Sequence, residues 1–136
     1  LNMSCKSLIY TVNAGTQAVA ANGGVQFTTL TRRYGCDCRL VGTNVVLTGA
    51  GYYDVGFNVT ALPTAAGAIT ATLLVNGVAY PGATVTATAA AANEAVQLSL
   101  SPVTVRTCCC PQTSTLTVQL SAAAAVTNAG INVERV

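Results

Sequence analysis

The segment Gly51-Tyr52-Tyr53-Asp54-Val55-Gly56-Phe57-Asn58-Val59-Thr60 constrains this chain more than any other. Side chains alternate between the two faces of a strand. Tyr53, Val55, Phe57 and Val59 therefore share one face, and Tyr52, Asp54, Gly56, Asn58 and Thr60 share the other. That is the signature of a half-buried β-strand. Tyr53 and its apolar partners Val55, Phe57 and Val59 are the expected core. Tyr52 is the residue expected at a subunit interface.

The same alternation recurs. Val96, Leu98 and Leu100 alternate with Gln97 and Ser99. Leu116, Val118 and Leu120 alternate with Thr117, Gln119 and Ser121. About ten short strands follow, near 7–13, 17–21, 25–33, 44–48, 51–61, 68–76, 84–88, 94–101, 103–109, 114–121 and 130–135, with the shortest the least defined. Between them stand turn residues such as Asn22-Gly23-Gly24, Asn76-Gly77, Pro81-Gly82 and Pro102. The Ala-rich runs at 87–92 and 122–125 are short and lie among Thr and Val, so they read as loop or strand edge. The expected fold class is all-β, an antiparallel β-sandwich of jelly-roll type. One domain, residues 7–136, follows a short connector, 1–6.

Composition points to association. Charged residues make up 7% of the 136, against roughly 25% in an average soluble domain. The apolar 51% is mostly Ala and Val, and Trp is absent. A surface this weakly charged offers little repulsion between copies. The net charge of +2 is too small to argue for nucleic acid, and the cluster Arg32-Arg33-Tyr34 with nearby Arg39 reads as a solvated loop. Nor is there a run of about 18 apolar residues to cross a membrane.

Gly51-x-Tyr53-x-Val55-x-Phe57-x-Val59 resembles a strand of the C1q and tumour-necrosis-factor-like domains. Leu73-Leu74-Val75-Asn76-Gly77-Val78-Ala79-Tyr80-Pro81-Gly82 resembles a stretch of their bacterial and phage relatives, the branch that includes the C-terminal domain of the BclA spore-surface glycoprotein. Gly130 to Val136 is similar to their last strand. The resemblance implies a ten-stranded jelly roll, a homotrimer and no cofactor. The chain departs from the family in lacking a collagen-like stalk and in carrying six cysteines.

Those cysteines are Cys5, Cys36, Cys38, Cys108, Cys109 and Cys110. Cys36 and Cys38 share a face if extended, as do Cys108 and Cys110. An antiparallel register would pair Cys36 with Cys110 and Cys38 with Cys108, leaving Cys5 and Cys109 to join each other or to link subunits. Reduced buried thiols and a zinc site are the competing readings. Disulfides require an oxidising setting, yet Leu1 to Tyr10 lacks the apolar core of a signal peptide. Release by lysis, as for a phage particle or a spore, reconciles the two.

Catalysis is not expected. Without His there is no Ser-His-Asp or Cys-His device. The carboxylates Asp37, Asp54, Glu94 and Glu134 are widely spaced in sequence. Glu134-Arg135 reads as a surface ion pair or an axis contact. The expected function is a structural surface subunit, such as a phage head fibre or decoration protein. A cross-linked spore-surface or appendage subunit is one alternative. A module that binds host glycan or protein through loops near 61–67 and 87–93 is another.

Overall fold

The computed structural model describes residues 7–107 and 113–136. It is all-β, with no helix among the described residues. Twelve strands form two antiparallel sheets. They are β1 (Leu8–Asn13), β2 (Gln17–Val19), β3 (Gly24–Val25), β4 (Thr29–Tyr34), β5 (Cys38–Val41) and β6 (Asn44–Leu47), then β7 (Gly51–Pro63), β8 (Gly67–Val75), β9 (Val78–Ala89), β10 (Val96–Thr107), β11 (Ser114–Leu120) and β12 (Ala124–Arg135). Sheet I has the order β10-β7-β12-β1-β4, with β2 beside β12. Sheet II has the order β5-β6-β11-β8-β9, with β3 beside β11.

Period-two patterning decides what lies between the sheets. Tyr53, Val55, Phe57 and Val59 of β7 are buried as expected. They meet Ile131 and Val133 of β12, Leu98 and Val105 of β10, and Ile69, Leu73, Leu116, Val118 and Leu120 from sheet II in one core. The only buried side-chain oxygen or nitrogen without a partner among the described residues is the Thr11 hydroxyl.

Local chemistry sets the registers. Val75 pairs with Val78, so Asn76-Gly77 is a two-residue hairpin loop. Both residues have positive φ, 54° and 82°, as a type I′ turn requires. The Asn76 side chain then docks the hairpin on β11, its Oδ1 accepting the Thr115 amide at 2.9 Å.

Strand boundaries differ from expectation in five places. Residues 94–101 and 103–109 were expected as two strands, but Val96–Thr107 is one strand with a register shift between Leu100 and Val103. Pro102 sits in that irregularity, where its missing N–H breaks no ladder bond. Pro81-Gly82 likewise lies inside β9, near a shift between Thr72 and Leu74 of its partner. The last strand begins at Ala124 rather than residue 130, and residues 25–33 divide into β3 and β4. Strand β5 was not anticipated. The described residues thus hold twelve strands where ten were expected.

Candidate functional site: one sheet face and a polar cluster at its end

The outward faces of the two sheets differ in chemistry. On sheet II, β8, β9 and β11 present Thr70, Thr72, Thr84, Thr86, Thr88, Thr115 and Thr117, and the Thr70 and Thr86 hydroxyls are 2.9 Å apart. This face suits water. Sheet I presents Leu8, Tyr10 and Val12 of β1 in one half-buried column. Beside them stand the exposed Tyr34 of β4 (64%) and Tyr52 of β7 (53%). The Arg106 guanidinium lies 5.9 Å from the Tyr52 ring centre, within cation–π range. Large exposed rings grouped on one sheet face are a feature of an interaction surface.

Cross-strand register orders this face into rows. One row runs Tyr34, Leu8, Glu134, Asp54, Thr104. The next runs Arg32, Tyr10, Asn132, Gly56. Glu134 and Asp54 are directly opposed, and like charges in that relation repel. The Thr104 hydroxyl donates to Asp54 Oδ1 at 3.3 Å, but neither carboxylate forms an ion pair among the described residues. Around Gly56 the face sinks into an open depression of about 290 Å³, lined by Asn58, Ser99, Leu100, Pro102 and Asn132. The absent side chain of Gly56 and the β10 irregularity at Pro102 make it. A Cβ at Gly56 would come 3.1 Å from the Leu100 carbonyl oxygen and 3.5 Å from Pro102 Cγ.

At one end of the sandwich a polar cluster joins four distant stretches of chain. Arg135 Nη1 donates to Asp37 Oδ2 at 2.6 Å, and Nη2 donates to the Ala50 carbonyl at 2.8 Å. Ser7 Oγ donates to the same Asp37 oxygen at 3.1 Å. The Thr48 amide donates to the Asp37 carbonyl at 2.7 Å. The Tyr53 hydroxyl donates to the Gly49 carbonyl at 2.5 Å. Arg33 Nε donates to the Cys38 carbonyl at 2.9 Å, tying β4 to β5 across the two sheets. The expected Glu134–Arg135 surface pair is corrected here. Neighbours on a strand point to opposite faces, so Glu134 faces out while Arg135 reaches Asp37.

Cys36 is an exposed free thiol and Cys38 a buried one. Cys38 lies opposite Leu47, and Leu47 opposite Ser114. Ser114 Oγ accepts from the buried Thr107 hydroxyl at 2.9 Å. Cys5, Cys108, Cys109 and Cys110 lie outside the described residues. So do the Cys36–Cys110 and Cys38–Cys108 pairings and the Cys5–Cys109 link. The described residues Ser7, Thr107 and Ser114 stand at the same end as Cys36 and Cys38.

Burial, then the Asp37 carboxylate, pushes the Cys38 thiol up from 9.0 to about 12, against the opposing pull of Arg33 and Arg135. Burial and Asp37 likewise push the Tyr53 phenol up from 10.0 to about 12. The unfolded chain therefore releases these protons at lower pH than the folded one. Stability from both groups is complete below about pH 9 and is lost as pH rises toward 12. Urea midpoints should be flat from pH 7 to pH 8.5 and fall steeply from pH 9.5 upward. The fall should be smaller in Tyr53→Phe.

The fold defined here is a jelly roll of the TNF/C1q type. Of the solved structures that share it, Eiger TNF from S. frugiperda is 12% identical, with TM-score 0.68 over 97% of this chain and 92% of that one. The globular domain of zebrafish complement 1qA is 11% identical, with TM-score 0.65 over 93% and 94%. The PRD1 vertex protein P5 is 13% identical, with TM-score 0.58 over 98% and 99%. No protein-family model and no curated protein sequence matches the chain.

Proposed function

We propose that this chain is a non-enzymatic structural subunit of a phage particle surface that assembles as a homotrimer through the outer face of sheet I. The observation that carries this reading is the whole-chain likeness to the PRD1 vertex protein P5, in a chain of which only 7% is charged. Self-association has a physical basis in the Leu8, Tyr10, Val12, Tyr34 and Tyr52 surface. Burying apolar area contributes roughly 25 cal/mol per Å², and stable interfaces bury on the order of 1,600 Å². Cross-linking through the cysteines would then staple the assembled particle.

A second reading rests on the Leu73–Gly82 stretch, which resembles the bacterial branch with spore-surface members. Under it the chain is a spore-surface or appendage subunit. Display of the loops at 64–66 and 90–95 for host glycan or protein is compatible with either. These loops are neighbours, since the Asn93 amide donates to the Pro63 carbonyl at 2.7 Å. Immunogold labelling discriminates. Antibody against the chain should decorate intact phage particles released from a host carrying the gene. Decoration of spores, with bare particles, would replace the first reading by the second.

A further inference from the structure

The chain's arginines are Arg32, Arg33, Arg39, Arg106 and Arg135. Arg135 is held by Asp37 and Ala50, and Arg106 lies over Tyr52. The other three come together. Arg32 and Arg33 stand on β4 and Arg39 on β5, and all three are exposed. Strand β4 is the edge of sheet I and β5 the edge of sheet II. The 2.9 Å bond from Arg33 Nε to the Cys38 carbonyl joins these edges into one rim. That carbonyl belongs to the peptide bond that enters Arg39, so the Arg33 guanidinium sits against the Arg39 backbone. Cys38 is buried in the core, so Arg39 points outward from sheet II.

No carboxylate of the same copy answers these charges. Among the described residues none of the three forms an ion pair. Arg32 Nη1 donates to the neighbouring Thr31 carbonyl at 3.0 Å. Asp37, the closest carboxylate in sequence, already accepts from Arg135 and Ser7. Glu134 and Asp54 lie two and three strands from β4, or roughly 10 and 14 Å. Glu94 stands in the loop beside Pro63, at the opposite end of the sandwich, with its Oε1 accepting the Ala90 amide.

We propose that this rim binds an anionic polysaccharide carrying phosphate or sulfate ester groups. A guanidinium presents a planar fork of donors that matches such oxyanions two bonds at a time. Arg33 is oriented in advance, because its Nε is fixed on Cys38 while its two terminal nitrogens bond nothing among the described residues. Sparse charge favours a polysaccharide over a nucleic acid. A duplex carries one charge per about 1.7 Å and is held through many phosphate contacts at once, which three arginines do not supply. A polysaccharide spaces its charges farther apart and offers hydroxyls between them, and the exposed Thr29 and Thr31 on the same strand suit these. The site goes beyond the structural-subunit reading and does not depend on it. Arg39 lies on the sheet II side, away from the face assigned to self-association.

Fluorescence anisotropy of labelled dextran sulfate, with labelled neutral dextran beside it, tests the site on the full chain. The parent should bind dextran sulfate and not dextran. Arg32→Gln with Arg39→Gln should weaken binding at least about tenfold, and the slope of log affinity against log salt should fall by about 1 per arginine removed. Arg39→Gln alone should weaken binding while keeping the parent's thermal midpoint and solution mass, which separates the rim from folding and from assembly. Arg106→Gln, an equal change of charge elsewhere, should leave binding within about twofold. A parent that fails to bind dextran sulfate at low salt overturns the proposal. So does an Arg106→Gln loss equal to that of Arg39→Gln, which would make the attraction one of net charge. Tighter binding to duplex DNA or to phosphatidylglycerol vesicles than to dextran sulfate would overturn the assignment to a polysaccharide.

Discussion

Tyr53→Ala is expected to remove about 3–5 kcal/mol of stability, the usual effect of truncating a fully buried aromatic side chain. Small domains are stable by only about 5–15 kcal/mol, so much of the variant should be unfolded or insoluble at 37 °C. The reason is position. Tyr53 is the largest fully buried side chain of the core, on the strand between β10 and β12. Its hydroxyl holds the Gly49 carbonyl at the entry to β7. Tyr53→Phe keeps the packing and loses that bond, with an expected loss of about 1 kcal/mol. Urea unfolding followed by circular dichroism, at one fixed protein concentration, gives both values. Equal losses for the two variants would show that the hydroxyl, not the ring, holds this region.

The second large effect is expected at the Asp37–Arg135 clasp. Arg135→Ala removes the donors to Asp37 and Ala50, leaving a mostly buried carboxylate with weaker support. The pair is partly solvated, with side-chain exposures of 29% and 15%. A loss of about 1.5–3 kcal/mol is therefore expected, the range for hydrogen bonds to charged groups. Gly49→Ala attacks the same clasp from the other side. A Cβ there would stand 2.2 Å from Asp37 Oδ1 and 3.0 Å from Asp37 Cβ, so Asp37 must move. Overpacking of this kind costs about 1–3 kcal/mol. If the two changes act on one clasp, the double variant should lose less than the sum of the single losses. Full additivity in the denaturant series would contradict that coupling.

How much of this was legible in the sequence follows from the range of each signal. Burial of Tyr53, Val55, Phe57 and Val59 was legible because alternation is local and its period is two. The Asn76-Gly77 hairpin was legible for the same reason, since a type I′ turn needs two residues that tolerate positive φ. Strand β10 was cut in two because Pro102 reads as a terminator, whereas a proline at a register irregularity interrupts nothing. The first half of β12 was hidden because an Ala run has no apolar–polar contrast. Strand β5 (Cys38–Val41) was hidden because Arg39 was grouped with Arg32-Arg33-Tyr34 as a solvated loop, whereas Arg32 to Tyr34 lie in β4 and Arg39 in β5. The Asp37–Arg135 clasp joins residues 98 apart, and the Asp54–Glu134 opposition exists only once the β7–β12 register is set. No local pattern encodes either.

Self-association through the outer face of sheet I is the central claim, and the solution mass tests it most directly. Sedimentation equilibrium at micromolar concentration, in reducing buffer, should give three times the 13.7 kDa protomer mass. Because reductant breaks disulfides, a trimer under these conditions is held by non-covalent contact. A single species of 13.7 kDa across the whole concentration range would contradict the account.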